Sequence, residues 1–199
     1  NVLVINTSVQ VDSVSELVAY AKNNPGVLTY GSSGNGASSH LAGVLFNRTT
    51  GTDILHVPYR GTGPALVDLL AGQIDMTFTD VMTASPHIRE GALKAMGVTT
   101  SQRSFSLPDV PSLEEQGLEN YDVSVFFGLV GPKGMDDAVI EKINTALISV
   151  LAEEEVQQLL SSQGIVIADD FSPKALDEFI NTEVDKWAEI IKSESIVLD

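Results

Sequence analysis

Cysteine is absent from all 199 residues, which excludes disulfides, thiolate metal sites and cysteine nucleophiles and leaves the redox compartment open. Long apolar runs are absent too. The longest, around Val123 to Val130, is interrupted by Ser124 and Gly128 and falls far short of the ~20 residues of a membrane span. No direct membrane insertion is expected. Basic residues are scarce, 11 against 27 acidic ones, for a formal net charge of −16. A field of that sign repels nucleic-acid phosphates and anionic lipid, so no nucleic acid is expected as a partner. Catalytic signatures are missing as well: there is no Gly-Lys-Ser/Thr phosphate loop and no Gly-x-Ser-x-Gly elbow. His40, His56 and His87 show no metal-ligand spacing, so neither a metal nor another cofactor is expected.

What the chain does have is Leu28-Thr-Tyr-Gly-Ser-Ser-Gly-Asn-Gly-Ala-Ser-Ser-His40, a short β-type run, a loop of glycines and hydroxyls, and the start of an amphipathic helix. Such a loop presents backbone N–H groups, serine hydroxyls and the positive end of a helix dipole at one point, a combination that attracts an anion. The acidic surface does not forbid this. Its charges are screened beyond about 8 Å at physiological ionic strength, whereas N–H donors act at contact.

A 43% apolar composition with 16 Gly and 8 Pro is that of a folded chain, long enough for one substantial core or two small ones. The chain opens on a β-type run, Asn1-Val-Leu-Val-Ile-Asn6, without a signal peptide, and the expectation is that a segment precedes it. Ser13-Val-Ser-Glu16 has capping-box spacing, and Val14, Leu17, Val18 and Ala21 then follow a helical period until Pro25-Gly26. Strand patterns at Val27–Tyr30, Ile54–Tyr59, Ile74–Thr79 and Leu93–Val98 alternate with helix patterns. One helix has the face Leu41, Ala42, Leu45 and Phe46, another buries Leu66, Val67, Leu69 and Leu70, and a third starts at Asp80–Pro86. Thr62 or Gly63 is the expected cap of the second, with Pro64 in its first turn. This alternation predicts a largely parallel, right-handed α/β sheet. The loops Ser32–Ser39, Arg60–Pro64 and Thr79–Pro86 each join the carboxyl end of a strand to the amino end of a helix, so all three are expected at the edge where α/β sheets bind ligands.

After Val98 a Ser/Thr/Pro-rich connection leads to Val123–Val130, read as a strand. The remainder is nearly all helical: one helix starting at Asp136-Asp137 with Val139, Ile140, Ile143, Leu147 and Leu151 on one face, one from Ala152 to Gln163 closed by Gly164, and one opened by Ser172-Pro173. The last turns Leu176, Phe179, Ile180, Val184, Trp187 and Ile191 inward. Beside these helices the pattern offers only a short Ile165–Ile167 strand, so their apolar faces are expected to lack a sheet to cover.

Each candidate has two readings. Gly34-Asn-Gly36-Ala-Ser-Ser39 has a serine where the dinucleotide fingerprint needs its third glycine, and no acidic residue ends the next strand. His40, one turn into its helix, orients the loop or serves a hydrolytic serine. Asp80 is a helix cap or an acceptor for a ligand. Arg60 pairs with a ligand carboxylate or points to solvent. Phe126, Phe127 and Trp187 are core, or one of the phenylalanines lines a cleft. The enzyme alternative is a small α/β catalyst acting on a phosphate ester or nucleotide.

Taken jointly and in order, Tyr30-Gly-Ser-Ser-Gly-Asn-Gly36 with His40-Leu-Ala, His56-Val-Pro-Tyr-Arg-Gly61, Pro64-Ala-Leu-Val-Asp-Leu-Leu-Ala-Gly-Gln-Ile-Asp75, Pro86-His-Ile88 and Leu107-Pro-Asp-Val-Pro111 are motifs of one family. The chain resembles the TctC or Bug-type extracytoplasmic solute receptors of tripartite tricarboxylate transporters, from its opening strand to the Lys186-Trp187 helix and the Ile196-Val-Leu tail. The resemblance implies a periplasmic binding protein, type II-like, of two α/β lobes. It implies residues 8–122 as one complete central lobe, 1–7 and 123–130 as crossing hinge strands, and 131–199 as the remainder of the other lobe. It further implies a periplasmic, non-catalytic receptor that captures a small carboxylate, whether di- or tricarboxylate, acidic amino acid or aromatic acid, and delivers it to membrane permease subunits. The carboxylate would be held by main-chain amides, hydroxyls and water. The implied ligand-binding residues are Ser32, Ser33, Gly34, Asn35, Gly36, Ala37, Ser38 and His40 on the first loop, Tyr59, Gly61, Thr62 and Gly63 on the second, Thr79 and Asp80 at the third, and Phe127. Thr79 stands where the family often has an acidic residue.

Overall fold

A computed structural model describes residues 1–194 and Ile196, so the Val197-Leu198 part of the closing tail lies outside the described residues. The chain divides into two compact units, Asn1–Val125 with Glu194, and Phe126–Ser193.

The first unit is a five-stranded sheet with helices between its strands: β1 (Val2–Asn6), α1 (Val14–Asn23), β2 (Thr29–Ser32), α2 (Ser38–Thr50), β3 (Leu55–Pro58), α3 (Thr62–Leu70), β4 (Met76–Thr79), α4 (Val81–Arg89) and β5 (Leu93–Val98). The strand order is β3-β2-β4-β1-β5. β2 pairs in parallel with both β3 and β4. β1 alone runs the other way, inserted antiparallel between β4 and β5 with Val2 opposite both Thr79 and Val98. The largely parallel sheet that was expected is present in β2 to β5, with the single reversed strand β1 making it mixed. Its βαβ crossovers keep β2 to β5 in one direction, and β1, which no helix crossover ties to a neighbouring strand, is free to pair in reverse.

Val2, Leu3, Val4 and Ile5 are all fully buried, as a strand covered on both faces requires. Alternation sends Val2 and Val4 into a cluster with Leu66, Leu69, Ile74, Ala84 and Val98, under α3 and α4. On the α2 side, Phe46 meets Phe78 at 5.9 Å and Tyr121 at 6.5 Å between ring centroids. Tyr121 fastens that layer by donating its hydroxyl to the Ala42 carbonyl at 2.6 Å. Gly43 lets α2 approach this closely: a Cβ there would fall 2.1 Å from the Tyr30 ring.

Helix starts follow sequence chemistry. Ser13 caps α1 by accepting from Glu16 N–H at 3.2 Å, while the Glu16 carboxylate reaches back to Asp12 N–H at 2.8 Å. The cap of α3 falls one residue before the expected Thr62 or Gly63 pair: Gly61 takes the position, at φ +115°, a conformation open to glycine. α4 starts at its cap Asp80 as expected, and Pro86 lies inside it.

The second unit holds α5 (Asp137–Leu151), α6 (Glu154–Ser162) and α7 (Pro173–Ser193). Asp136 caps α5 through Ala138 N–H at 2.8 Å, and Gly164 follows α6 at φ +79°. No residue of α5 or α6 is buried, and in α7 only Ile190 is. Neither Val123–Val130 nor Ile165–Ile167 forms the expected strand: Val123 still bonds to Thr99 of the first unit, its N–H donating to the Thr99 carbonyl at 2.8 Å, but the residues from Phe126 onward have no sheet edge among the described residues of the second unit. Phe126 and Phe127 are not core: they are 47% and 81% exposed, Phe126 resting edge-on against Phe179 at 4.8 Å. Trp187 is half-buried, its indole N–H donated to Glu183 at 2.9 Å.

Candidate functional site

Because β3, β2 and β4 are neighbours running in one direction, their three following loops lie side by side at one edge of the sheet. The bond from Tyr59 N–H to the Ser32 carbonyl, 3.0 Å, ties the first loop to the second. The beginning of β1 and the end of β5 reach the same edge, where Thr99 N–H donates to the Asn1 carbonyl at 2.9 Å.

The first loop is held mostly by itself. Ser33 N–H donates to Ser39 Oγ at 2.9 Å, Gly34 N–H to Ser32 Oγ at 3.2 Å, Gly36 N–H to His40 Nδ1 at 3.0 Å, and Ala37 N–H to the Gly34 carbonyl at 3.2 Å. Gly36 sits at φ +75°, which glycine accommodates without strain. In the ligand-free chain these four loop amides are engaged internally, because a tight turn satisfies its own donors. Asn35 stands at the tip of that turn and is half-buried.

The open donors lie one step further on. Ala37 and Gly61, which precede α2 and α3, provide no side-chain cap. Among the described residues nothing accepts from the first-turn N–H groups of Ser38 and Ser39, or of Thr62 and Gly63. α1 and α4 differ, since each is closed by its own Ser13 or Asp80. Two uncapped helix ends at one sheet edge form a region of positive potential from peptide dipoles alone, to which the exposed Arg60 is an addition.

Thr79 adds a second kind of evidence. It is 2% exposed, yet its hydroxyl has no hydrogen-bond partner. A buried hydroxyl left unpaired costs about 1–3 kcal/mol, and a ligand oxygen or an ordered water at the edge would relieve it. Asp80 resolves toward its structural reading: Oδ1 accepts from Thr83 N–H at 2.7 Å and from the Thr83 hydroxyl at 2.5 Å. The Tyr59 hydroxyl donates to Asp68 at 2.8 Å; burial and that bond push its pKa up to about 12. Arg60 is exposed on the second loop. Phe127 belongs to the other unit.

Two residues outside the expected set bear on the loop. Ser39 braces Ser33, and His56 joins Ser32 Oγ through Nε2 at 2.6 Å. His56 also stacks face to face on His40, ring centroids 3.8 Å apart at 8°. Sequence periodicity placed His56 inside a strand and so hid it; the signal was its register opposite Tyr30, two residues before Ser32. His40 orients the loop, its Nδ1 accepting from Gly36 N–H.

An α/β unit with open helix ends at the carboxyl edge of its sheet is the architecture of a binding protein for a small anion. The chain belongs to the tripartite tricarboxylate transporter family receptors, whose TctC model matches residues 1–196. Protein BugT of Bordetella pertussis is 34% identical over 193 residues, covering 96% of this chain and 58% of its own length. The solved structure of Rpa4515 of R. palustris with adipate is similar at a TM-score of 0.90 and 29% identity, covering 99% of this chain and 66% of that one. MatC (Rpa3494) from Rhodopseudomonas palustris with bound malate gives 0.86 and 29%, covering 96% and 65%. Two further similar structures are described as periplasmic. The chain thus spans a little over half the length of the curated relatives it matches and about two thirds of the solved ones. The family and these neighbours are receptors and binding proteins, not enzymes.

Proposed function

We propose that the chain captures a small carboxylate outside the cytoplasm, at the carboxyl edge of the first unit's sheet, and delivers it to the permease subunits of a tripartite tricarboxylate transporter. The observation that carries this reading is that α2 and α3 begin uncapped at the same sheet edge where β4 ends in Thr79, whose buried hydroxyl is unpartnered. Two oxygens of a carboxylate accept from neutral N–H groups and a hydroxyl there without any salt bridge. Adipate and malate in two similar structures support a dicarboxylate. Ser38, Ser39, Thr62, Gly63 and Thr79 are the direct contacts in this reading. Ser32 to Ala37, His40 and Gly61 shape the loops that present them.

The same reading assigns 8–122 to one complete lobe, 1–7 and 123–130 to the crossing segments and 131–199 to part of a second lobe. It is supported by the share of the relatives' length that the chain spans and by the exposed Val139, Ile143, Leu159 and Val184 of the second unit. Titration calorimetry with adipate, malate, citrate, aspartate and benzoate tests the function. Saturable binding of at least one, lost in Thr62→Pro, is the expected result; no binding across the panel overturns it.

A further inference from the structure

We propose that His40 and His56 act as positioning residues, a stacked pair that braces the Ser32–Gly36 turn and so sets the open end of α2; this deepens the carboxylate reading and rests on it. His40 Nδ1 receives the Gly36 N–H at 3.0 Å and His56 Nε2 bonds Ser32 Oγ at 2.6 Å, so the two rings hold the start and the tip of one turn. They come from different elements, α2 and β3, and meet at 3.8 Å between centroids. Tyr30 of β2 extends the stack, 5.0 Å from His56 and 6.5 Å from His40, and β4 contributes the apolar Phe78 against Tyr30. Among the described residues Tyr30 is thus the titratable group that faces the pair, and burial keeps its hydroxyl protonated.

The chemistry of the bond fixes the sign of the effect. Nδ1 of His40 accepts, so it carries a lone pair and no proton. Protonation would convert it to a donor aimed at the Gly36 N–H, and a charge on one ring opposes a charge on the other. Burial lowers the pKa of both rings, that of His56 to about 4, with His40 adding to the effect. Acid therefore releases the turn. It weakens anion capture, the reverse of what a cation beside an anion would do.

The test is nitrogen-15 NMR on the ligand-free protein. The expected result is a Gly36 amide protected from exchange at pH 7 that shifts together with the His40 Nδ1 resonance, at a midpoint below the ordinary histidine value of about 6.5. His40→Phe keeps a ring in the stack and removes the acceptor; Gly36 protection should fall roughly tenfold, the scale of one hydrogen bond. His40→Asn restores an acceptor that does not titrate, so protection returns and its pH dependence disappears. A Gly36 amide that ignores the titration of His40, or that stays protected in His40→Phe, overturns the proposal. Calorimetry with adipate and malate at pH 7 and pH 5 forms the second arm, with affinity falling severalfold in the wild type beyond the drop seen in His40→Asn. If no member of the carboxylate panel binds, the carboxylate reading fails while the amide measurements still decide on the histidine pair.

Discussion

The two units bury their apolar residues very differently. In the first, β1 is fully buried along Val2 to Ile5 and rings from α2, β2 and β4 close around Tyr30 and Phe78. In the second, helices with equally clear apolar periodicity leave Val139 46%, Val184 59% and Leu159 56% exposed. The contrast teaches that amphipathic patterning states that a face will be covered without stating what covers it. The first unit covers its sheet with its own helices; in the second the apolar helix faces stay largely exposed, with local contacts such as Phe126 on Phe179.

The largest expected effect separates the units by truncation. Leu3→Ala should cost about 2–5 kcal/mol, since it empties a fully enclosed site. Val184→Ala should stay within about 0.5 kcal/mol in this chain. Urea denaturation monitored separately for each unit checks the pair, and equal losses would break the comparison. Next in size is Gly43→Ala, which drives a methyl into the Tyr30 ring and should destabilise by about 1–3 kcal/mol in the same assay.

Thr79→Val is sharper because stability and binding should move in opposite directions. Removing an unpartnered buried hydroxyl at constant shape should leave the free protein equal or up to about 1 kcal/mol more stable. Carboxylate affinity should fall by roughly tenfold if that hydroxyl is a contact. Thermal unfolding with and without ligand measures both, and a variant that is stabilised with unchanged affinity would remove Thr79 from the site.

These sites show what was legible in the sequence. The helix caps Ser13, Asp80 and Asp136 could be read because capping is local chemistry, and the convergence of three loops followed from strand–helix alternation. The reversed direction of β1 was not legible, since Val-Leu-Val-Ile pairs equally well either way. Nor was the internal use of the loop amides, which depends on Ser39 and His40 folding back from the next helix. The strands expected at Val123–Val130 and Ile165–Ile167 failed for a related reason: β propensity needs a neighbouring edge.

His56 supplies a pH contrast between the units. Its pKa is lowered from 6.5 to about 4, so between these values the unfolded chain binds a proton that the folded one refuses. Stability is then full above about pH 6.5 and declines as pH falls toward 4, by about 1–3 kcal/mol for a partly buried ring. His56→Gln should flatten that slope. Because the second unit holds no histidine, its own unfolding should show no histidine-linked loss across the same window. Denaturation midpoints at successive pH values test this, and a slope unchanged in the variant would place the linkage elsewhere.

The smallest effect concerns Arg60, an exposed cation on a loop at the binding edge of a chain with net charge −16. Arg103, following β5, is by contrast already paired with Glu115 at 2.7 Å. An exposed guanidinium contributes little to stability, so Arg60→Gln should leave unfolding within about 0.5 kcal/mol of the wild type. Its field still opposes the surrounding carboxylates as an anion approaches, which acts on association more than on dissociation. Stopped-flow association with a dicarboxylate should slow by about two- to fivefold in low salt, and the difference should vanish when the Debye length shrinks to about 3 Å at 1 M. A deficit that survives high salt would instead make Arg60 a direct contact, and with it the neutral-donor account of the site would need a charged partner.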